Sequence, residues 1–526
     1  MNIPCSDPQP PNLGGKSERF IAIDQSTSST KALLFDEQCR VVARTNVDHK
    51  QYYPQTGWVE HDAEEIYQNM IEAIRQLSEE LRVKSEAVGN SSLFTLHSSL
   101  CITNQRETAV VWNKTTGKPI AHAVVWQDTR GAELCRQLRA DSKTVEMVMA
   151  KSGLLIDPNF SASGVKWLLD HVPGAREQAE HGELLMGTIE TWLIWKLTGG
   201  KVHATDTTNA SRTMLFNIHT LQWDDDLLRL FDIPRSMMPQ VLPCDAVYGE
   251  TTCEGLFSKP IQIAGVLGDS HGALVGQMCF EPGSGKVTYG TGSSVMVNIG
   301  EEPLPAPEGL VTSVGFTAFG KTYYGYEGNI YSTGATLKWI ADQLQLVGHP
   351  REMEALATSV PDNGGVYIVP AFSGLGAPWW QSNVKGAVFG LTFATTKAHF
   401  LRAALESIAY QIKDLVDVMA AGLSPLTTHH SPLKEIAADG GPTKNRFLMQ
   451  FQADQLETPV VCTEVDDASA LGAVIMNGFA RGLWKSFDDV TAFRKVTEVY
   501  KPSSHLSTLT SHLYEGWRNA VSQLIK

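Results

Sequence analysis

Short continuous apolar runs alternate along the chain with longer stretches in which apolar residues return every third or fourth position. "FIAID" (20–24) and "KALLFD" (31–36) read as strands joined by the small-residue turn "QSTSST", a β-hairpin expected at a domain edge. The design returns at 285–302, where "GKVTYGTGSSVMVNIGEE" again reads strand, Gly/Ser/Thr turn, strand. Set side by side, the hairpins keep both strands and the pairs Ser28-Ser29 and Ser293-Ser294. Two halves built on one plan are therefore expected, with a ligand between them.

Residues 64–82 carry Ile66, Met70, Ile74 and Leu77 at helical spacing, and 397–422 form a longer, more apolar helix suited to a domain junction. "HSSLCITNQRETAVVWN" and "EIAADGG" read as strands running into turns, and the mixture points to α/β layers. The stretches 301–310 and 428–434 read as surface loops, and the pair His429-His430 as solvated.

Length and charge narrow the class. At 526 residues, two large domains are the expectation, and a net charge of -14 argues against nonspecific nucleic-acid binding. No apolar run is long enough to span a bilayer, so no membrane insertion is expected. The eight cysteines show no metal-type spacing and read as separate reduced thiols. The polar, Pro- and Gly-rich residues 1–19 lack the apolar stretch of a signal peptide and read as a disordered tail. A cytoplasmic protein is expected.

Chemistry shows where polar residues interrupt apolar frames. "VLGDSHGALVGQ" (266–277) sets Asp269 and His271 among Val266, Leu267, Ala273, Leu274 and Val275. A charge in such a frame needs a partner, a metal or a task, or else Asp269 simply starts a helix. Arg106 and Glu107 stand side by side at the end of an apolar stretch: an ion pair, or a donor fork and an acceptor offered to a ligand with several hydroxyls. "DGGPTKNRF" (439–447) and "STGATLKW" (332–339) place glycine turns before helices, where backbone amides approach phosphates. Neither a Walker A lysine motif nor G-x-G-x-x-G is present.

Long stretches then carry a resemblance: "YPQTGWVEHD", "ITNQRET", "GTIETWLIWKLTGGKVHATD", "TNASRTMLFNIHTLQWDDDLL", "GVYIVPAFSGLGAPWW" and "GAVFGLTFATTKAHFLRAALESIAYQ". From about residue 20 to about 520 the chain resembles the FGGY carbohydrate kinases of the actin-like ATPase superfamily, and among them the glycerol kinases most. The resemblance implies an α/β fold of two ribonuclease-H-like domains around a cleft: 20–267 for the polyol or sugar and 268–526 for the nucleotide. It implies ATP and Mg2+, a small polyol or ketose as acceptor, and a homo-oligomer, dimer or tetramer. Asp269 matches the catalytic base, its basicity expected to be raised by apolar neighbours. Asp24 matches the residue associated with magnesium. Thr27, Ser28, Ser29 and Lys31 match the phosphate-facing hairpin tip, with Lys31 where relatives carry arginine. Thr291, Gly334, Lys338, Gly441 and Asn445 match nucleotide contacts. Arg106, Glu107 and Trp126 match the residues that hold the acceptor.

The departures fall around the acceptor. Asn159 stands where glycerol kinases place a tyrosine, Ser270 where they place a glutamine, and Ser293-Ser294 where an aromatic packs on the substrate carbons. The pocket is therefore expected to be wider and wetter, and to suit acceptors of four to six carbons. The alternatives are glycerol itself, giving glycerol 3-phosphate, and a catalytically silent sensor of sugar and ATP.

Overall fold

The computed structural model describes residues 18–88, 98–423, 433–464, 467–503 and 507–526. Most of the expected tail, Cys5 and the pair His429-His430 lie outside them. Two large sheets organise the chain. In the first, β1 (Arg19–Gln25) and β2 (Ser29–Asp36) form the hairpin, and β3 (Val41–Asp48) continues it antiparallel. β4 (Ser98–Asn104) lies parallel to β1 on its other side. β5 (Val247–Thr251) is antiparallel to β6 (Ile261–Gly268), which runs parallel to β4, giving the order β5-β6-β4-β1-β2-β3.

The hairpin is therefore not at an edge, as its sequence led us to expect. Ile21, Ala22, Ile23, Ala32 and Leu33 are each fully buried, because β1 and β2 are covered on both faces. A near-continuous apolar run is the mark of such an interior strand.

The second sheet contains β7 (Ser284–Tyr289), β8 (Ser293–Gly300), β9 (Val311–Ala318), β10 (Lys321–Ile330), β11 (Glu435–Gly440), β12 (Val460–Thr463) and β13 (Val496–Tyr500). Its order is β9-β10-β8-β7-β11-β12-β13, with β7, β11 and β12 parallel. The run β3-β2-β1-β4-β6 thus repeats as β10-β8-β7-β11-β12, with the same strand directions. Even the hairpin tips match, at residues 26–28 and 290–292.

Helix α1 (Ala63–Val88) buries Ile66, Met70, Ile74 and Leu77 against β2 and β3. α2 (Asp269–Gly276) follows β6, and α3 (Gly334–Asp342) follows β10. α4 (Lys397–Leu423) packs on β8, β10 and α5 (Arg446–Leu456). α6 (Ala468–Ala480) is apolar but for Ser469 and Asn477, lies against α2 and crosses to the first sheet, touching β1, β4 and β6. One hydrophobic core is consequently shared by the halves: Phe20, Ala22, Leu33, Cys101 and Leu267 from the first sheet meet Leu471, Val474, Ile475 and Phe479 of α6. Among the described residues no helix is long and apolar enough to cross a membrane.

Candidate active site

β6 delivers a carboxylate to the gap between the sheets. Its last residue, Gly268, caps α2 and donates its N–H to Thr208 Oγ1 at 2.9 Å. Asp269 is the first residue of the helix, and its Oδ1 accepts the Ser270 N–H at 2.6 Å. The apolar neighbours that framed it in sequence turn into the core, while its side chain keeps 39% exposure and lies 3.1 Å from Arg106 Nε. The side chain therefore faces a guanidinium and the open side of the site, not the apolar frame of its sequence neighbours. His271, two residues on, is fully buried with Nε2 3.3 Å from Ser313 Oγ. Burial, then the Arg106 charge, push its pKa well below the usual value, so it is a neutral core imidazole.

Arg106 and Glu107 sit on a γ-turn. The Thr108 N–H donates to the Arg106 carbonyl at 2.7 Å, and Glu107 takes φ 66° in the left-handed region. Ser161 Oγ holds the strained peptide by donating to the Glu107 carbonyl at 2.7 Å. Among the described residues the two do not pair with each other. Arg106 sends two nitrogens to Glu327 at 2.8 Å, and Glu107 accepts Arg212 Nε at 2.6 Å. Arg212 returns to Glu327 at 2.9 Å, closing a buried ring. Glu327 lies far below its usual pKa because Arg106 and Arg212 outweigh burial, whereas burial raises Glu107 despite both arginines. Phe160, the residue after Asn159, lies under Arg212, 5.0 Å from its guanidinium. The Asn159 N–H is held by Asp157 Oδ1 at 3.0 Å.

At the end of β1, Asp24 is buried and its pKa is raised by that burial and by the charge of Asp269, with Lys31 opposing. Lys31 does not stand free for a phosphate: its ammonium is 3.3 Å from Asp24 and 2.9 Å from Asp467. Burial disfavours its charge, but those two carboxylates push its pKa up. At the hairpin tip, Thr27 Oγ1 accepts Trp126 Nε1 at 3.0 Å, joining an expected phosphate contact to an expected acceptor wall. Ser28 is exposed, and its carbonyl accepts the His49 N–H at 3.1 Å. Ser29 is buried, with its carbonyl bonded to the Ser26 N–H at 2.9 Å.

The second half gathers three glycine turns that were separate in sequence. The Gly334 N–H donates to the Gly290 carbonyl at 3.0 Å, and a Cβ there would fall 2.4 Å from that oxygen. Gly440, at φ 98°, lies so close that a Cβ would meet the Tyr289 carbonyl at 2.0 Å. At Gly441 a Cβ would enter open space. The Thr291 carbonyl takes the N–H groups of Thr333 and Ala335 at 2.9 and 3.0 Å. Asn445 caps α5 by accepting the Leu448 N–H at 2.9 Å. Lys338 is exposed on α3. Together these contacts bring the tip at 290–292, the start of α3 and the turn at 440–441 side by side, next to Asp439.

Four residues of the site went unread in the sequence: Arg212, Lys286, Glu327 and Asp439. Their only signal was a charge isolated in a small or apolar frame, as Glu327 is in "YYGYEGNI". Lys286 is 1% exposed, and its ammonium is 3.1 Å from Ser294 Oγ and 3.3 Å from Thr288 Oγ1. Ser294 Oγ is in turn 3.3 Å from Ser270 Oγ. Ser293, by contrast, is buried against Thr333 at 3.0 Å. Asp439 Oδ2 accepts Gln277 Nε2 at 2.8 Å, and burial raises its pKa.

The models of the N-terminal and C-terminal domains of one carbohydrate kinase family match residues 19–276 and 285–481. This chain belongs to the FGGY family of carbohydrate kinases. Its relatives include glycerol kinase 2 of Thermotoga maritima, 45% identical over 503 residues, which are 96% of this chain and 98% of the relative. Glycerol kinase of Thermus thermophilus is 46% identical over 507 residues, with the same coverage of both chains. Among solved structures, Plasmodium falciparum glycerol kinase with ADP superposes with a TM-score of 0.90 at 32% identity, over 97% of this chain and 98% of that one. As an FGGY kinase the protein has the two-part, actin-like architecture that its repeated sheets display.

Proposed function

We propose that this kinase transfers the γ-phosphoryl group of ATP to a terminal hydroxyl of a small polyol or ketose, with Asp269 as the base. One observation carries this reading: in a neighbourhood of buried ion pairs, Asp269 keeps its carboxylate open and aimed by Arg106. The acceptor hydroxyl gives its proton to Asp269 as its oxygen bonds to the γ-phosphorus, and ADP leaves with the electron pair of the broken P–O bond. Arg106 and Glu107 hold the other hydroxyls, the guanidinium donating and the carboxylate accepting, and Trp126 walls the pocket. Arg106 has five N–H donors, which leaves some for a ligand beyond Glu327 and Asp269.

In this reading Thr291, Gly334, Gly441 and Asn445 face the nucleotide, with Thr27, Ser28 and Ser29 at the other hairpin tip. Gly441 fits this role because no atom occupies the space a side chain would take. Among the described residues no cluster of three or more metal-ligating groups exists, so no all-protein metal cage is present. Mg2+ is ordinarily held by one or two carboxylates together with phosphates and water, and Asp24 with Asp269 nearby suits that mode. When bound, the ion neutralises phosphate charge. Asp24 and Asp269 are the residues that would hold it, and the Lys31 ammonium lies 3.3 Å from Asp24.

Glycerol is the second reading for the acceptor, favoured by relatives of that name at 45% and 46% identity. The cytoplasm suits both readings, because the seven described cysteines are free and buried, as in a reducing compartment. ADP release with ATP and magnesium tests the proposal, using glycerol, dihydroxyacetone and four- to six-carbon polyols and ketoses. Turnover with one of them, abolished in Asp269→Asn, is expected. ATP binding without turnover on any of them would sink the reading.

A further inference from the structure

Two buried carboxyls have no part in the chemistry above, yet they lie where the segments that carry Arg106, Arg212 and Asp269 converge. Glu190 and Asp206 are both fully buried, and burial raises the pKa of each. Their partners are hydroxyls and amides. Asp206 caps the four-residue helix Thr207–Ala210 and accepts the Thr208 N–H at 2.6 Å. It also accepts the Thr208 hydroxyl, and the Asn209 side-chain amide at 2.7 Å.

From this point the bonds branch to the strand ends of the site. The Thr208 hydroxyl has one proton and gives it to Asp206, so toward Gly268 it can only accept. It takes the Gly268 N–H at 2.9 Å, and Gly268 is the residue before Asp269. Asn209 and Asn104 exchange two amide hydrogen bonds, at 3.0 and 3.1 Å. Asn104 ends β4, stands beside Gly268 in the sheet and comes two residues before Arg106. Its amide also donates to Glu190 at 2.9 Å, which anchors this branch from behind. The third branch is the chain itself: the Arg212 N–H donates to the Asn209 carbonyl at 3.0 Å.

We infer that Asp206 and Thr208 are positioning residues for phosphoryl transfer, acting through Gly268 on Asp269 and through Asn209 and Asn104 on the Arg106 turn. This rests on Asp269 being the base of the proposed kinase. Both residues are fully buried, so they act only through the groups they hold. Their leverage is geometric, because a misplacement of about 1 Å at reacting atoms costs about a hundredfold in rate.

Two substitutions at one position separate positioning from packing. Thr208→Val keeps the shape but leaves the Gly268 N–H without this acceptor and Asp206 without a donor. Thr208→Ser keeps the hydroxyl and gives up a methyl. Activity that depends on packing follows the methyl; activity that depends on positioning follows the hydroxyl. Asp206→Asn breaks the same bridge from its other end. In the full-length protein, kcat and KM are measured with whichever of glycerol, dihydroxyacetone and the four- to six-carbon polyols and ketoses turns over fastest. ATP titrations and thermal melts accompany each variant. In Thr208→Val and Asp206→Asn, kcat should fall at least tenfold while ATP affinity stays within threefold. Thr208→Ser should keep kcat within threefold of the unmutated protein. An unaltered kcat in a folded Thr208→Val or Asp206→Asn overturns the inference, and so does a Thr208→Ser that loses as much as Thr208→Val. Failure of both Thr208→Val and Asp206→Asn to fold assigns the network to the core alone and overturns it too. In each of these cases the kinase reading stands; no turnover in the unmutated protein overturns both.

Discussion

Arg106 grips Glu327 with two nitrogens at 2.8 Å and rests its third, Nε, 3.1 Å from the carboxylate of Asp269. The base is thus aimed by a side chain that is itself locked from behind. Replacing Asp269 with asparagine keeps the shape and removes the proton acceptor. We predict that kcat falls by roughly 10²–10⁴, while ATP still binds. Steady-state kinetics with titration of ATP would show this, and a loss under tenfold would remove Asp269 from the role of base.

Glu327 holds two guanidiniums in a place almost without water. In Glu327→Ala both Arg106 and Arg212 stay buried with their main counter-charge gone. Loss of one partner from a buried pair costs about 3–5 kcal/mol, so a marked fall in the denaturation midpoint is expected. A urea midpoint equal to that of the unmutated protein would contradict the buried ring.

A buried carboxyl pair, Glu190 and Asp206, predicts a pH signature opposite to that of Glu327. Glu190 is fully buried, its pKa raised to about 7 by burial and by the charge of Asp206. Hydroxyls of Thr191 and Thr205 and the amide of Asn104 surround it at 2.7–2.9 Å. Because the folded value lies above the unfolded value near 4.5, this group stabilises the fold below that pH and loses its contribution as pH rises through 7. Glu327, held low, acts in the other direction and loses its contribution as pH falls below its ordinary range. Melting temperatures at pH 5 and pH 7.5 should therefore differ less in Glu190→Gln than in the unmutated protein. An identical difference in both would exclude this carboxyl as the source.

Gly268 has ordinary backbone angles, yet a Cβ there would lie 2.5 Å from Arg106 Cγ. Gly268→Ala should push Arg106 off Asp269 and cut kcat/KM by about a hundredfold, the scale that a misplacement of about 1 Å produces. The melting temperature should change far less than in Glu327→Ala. Unaltered kinetics would mean that Arg106 has room to shift without consequence.

What the sequence made legible follows from distance along the chain. The two hairpins could be read because each is local: apolar runs, small residues at the tip, and the same spacing at 22–37 and 287–302. Arg106, Glu107 and Asp269 stood out as polar residues in apolar frames. Their partners did not, because Glu327 meets Arg106 across 221 positions and Lys31 meets Asp467 across 436. The same limit hid the place of the first hairpin, whose interior position depends on β4, about sixty residues after β2. It also left Lys31 looking like a free cation, when its charge is already met by two carboxylates.

The crossing of α6 onto the first sheet has a consequence for dissection of this enzyme. The backbones of α2 and α6 touch at glycines: a Cβ on Gly472 would lie 2.0 Å from the Gly272 carbonyl. Phe20, Leu33, Cys101 and Leu267 find their cover in a segment encoded some two hundred residues after the last of them. A fragment ending between the two family-model matches would present that face to water and should aggregate, however complete its own sheet. During synthesis on the ribosome the first half likewise stays unsealed until residue 480 has emerged, so this is a fold that finishes from its far end.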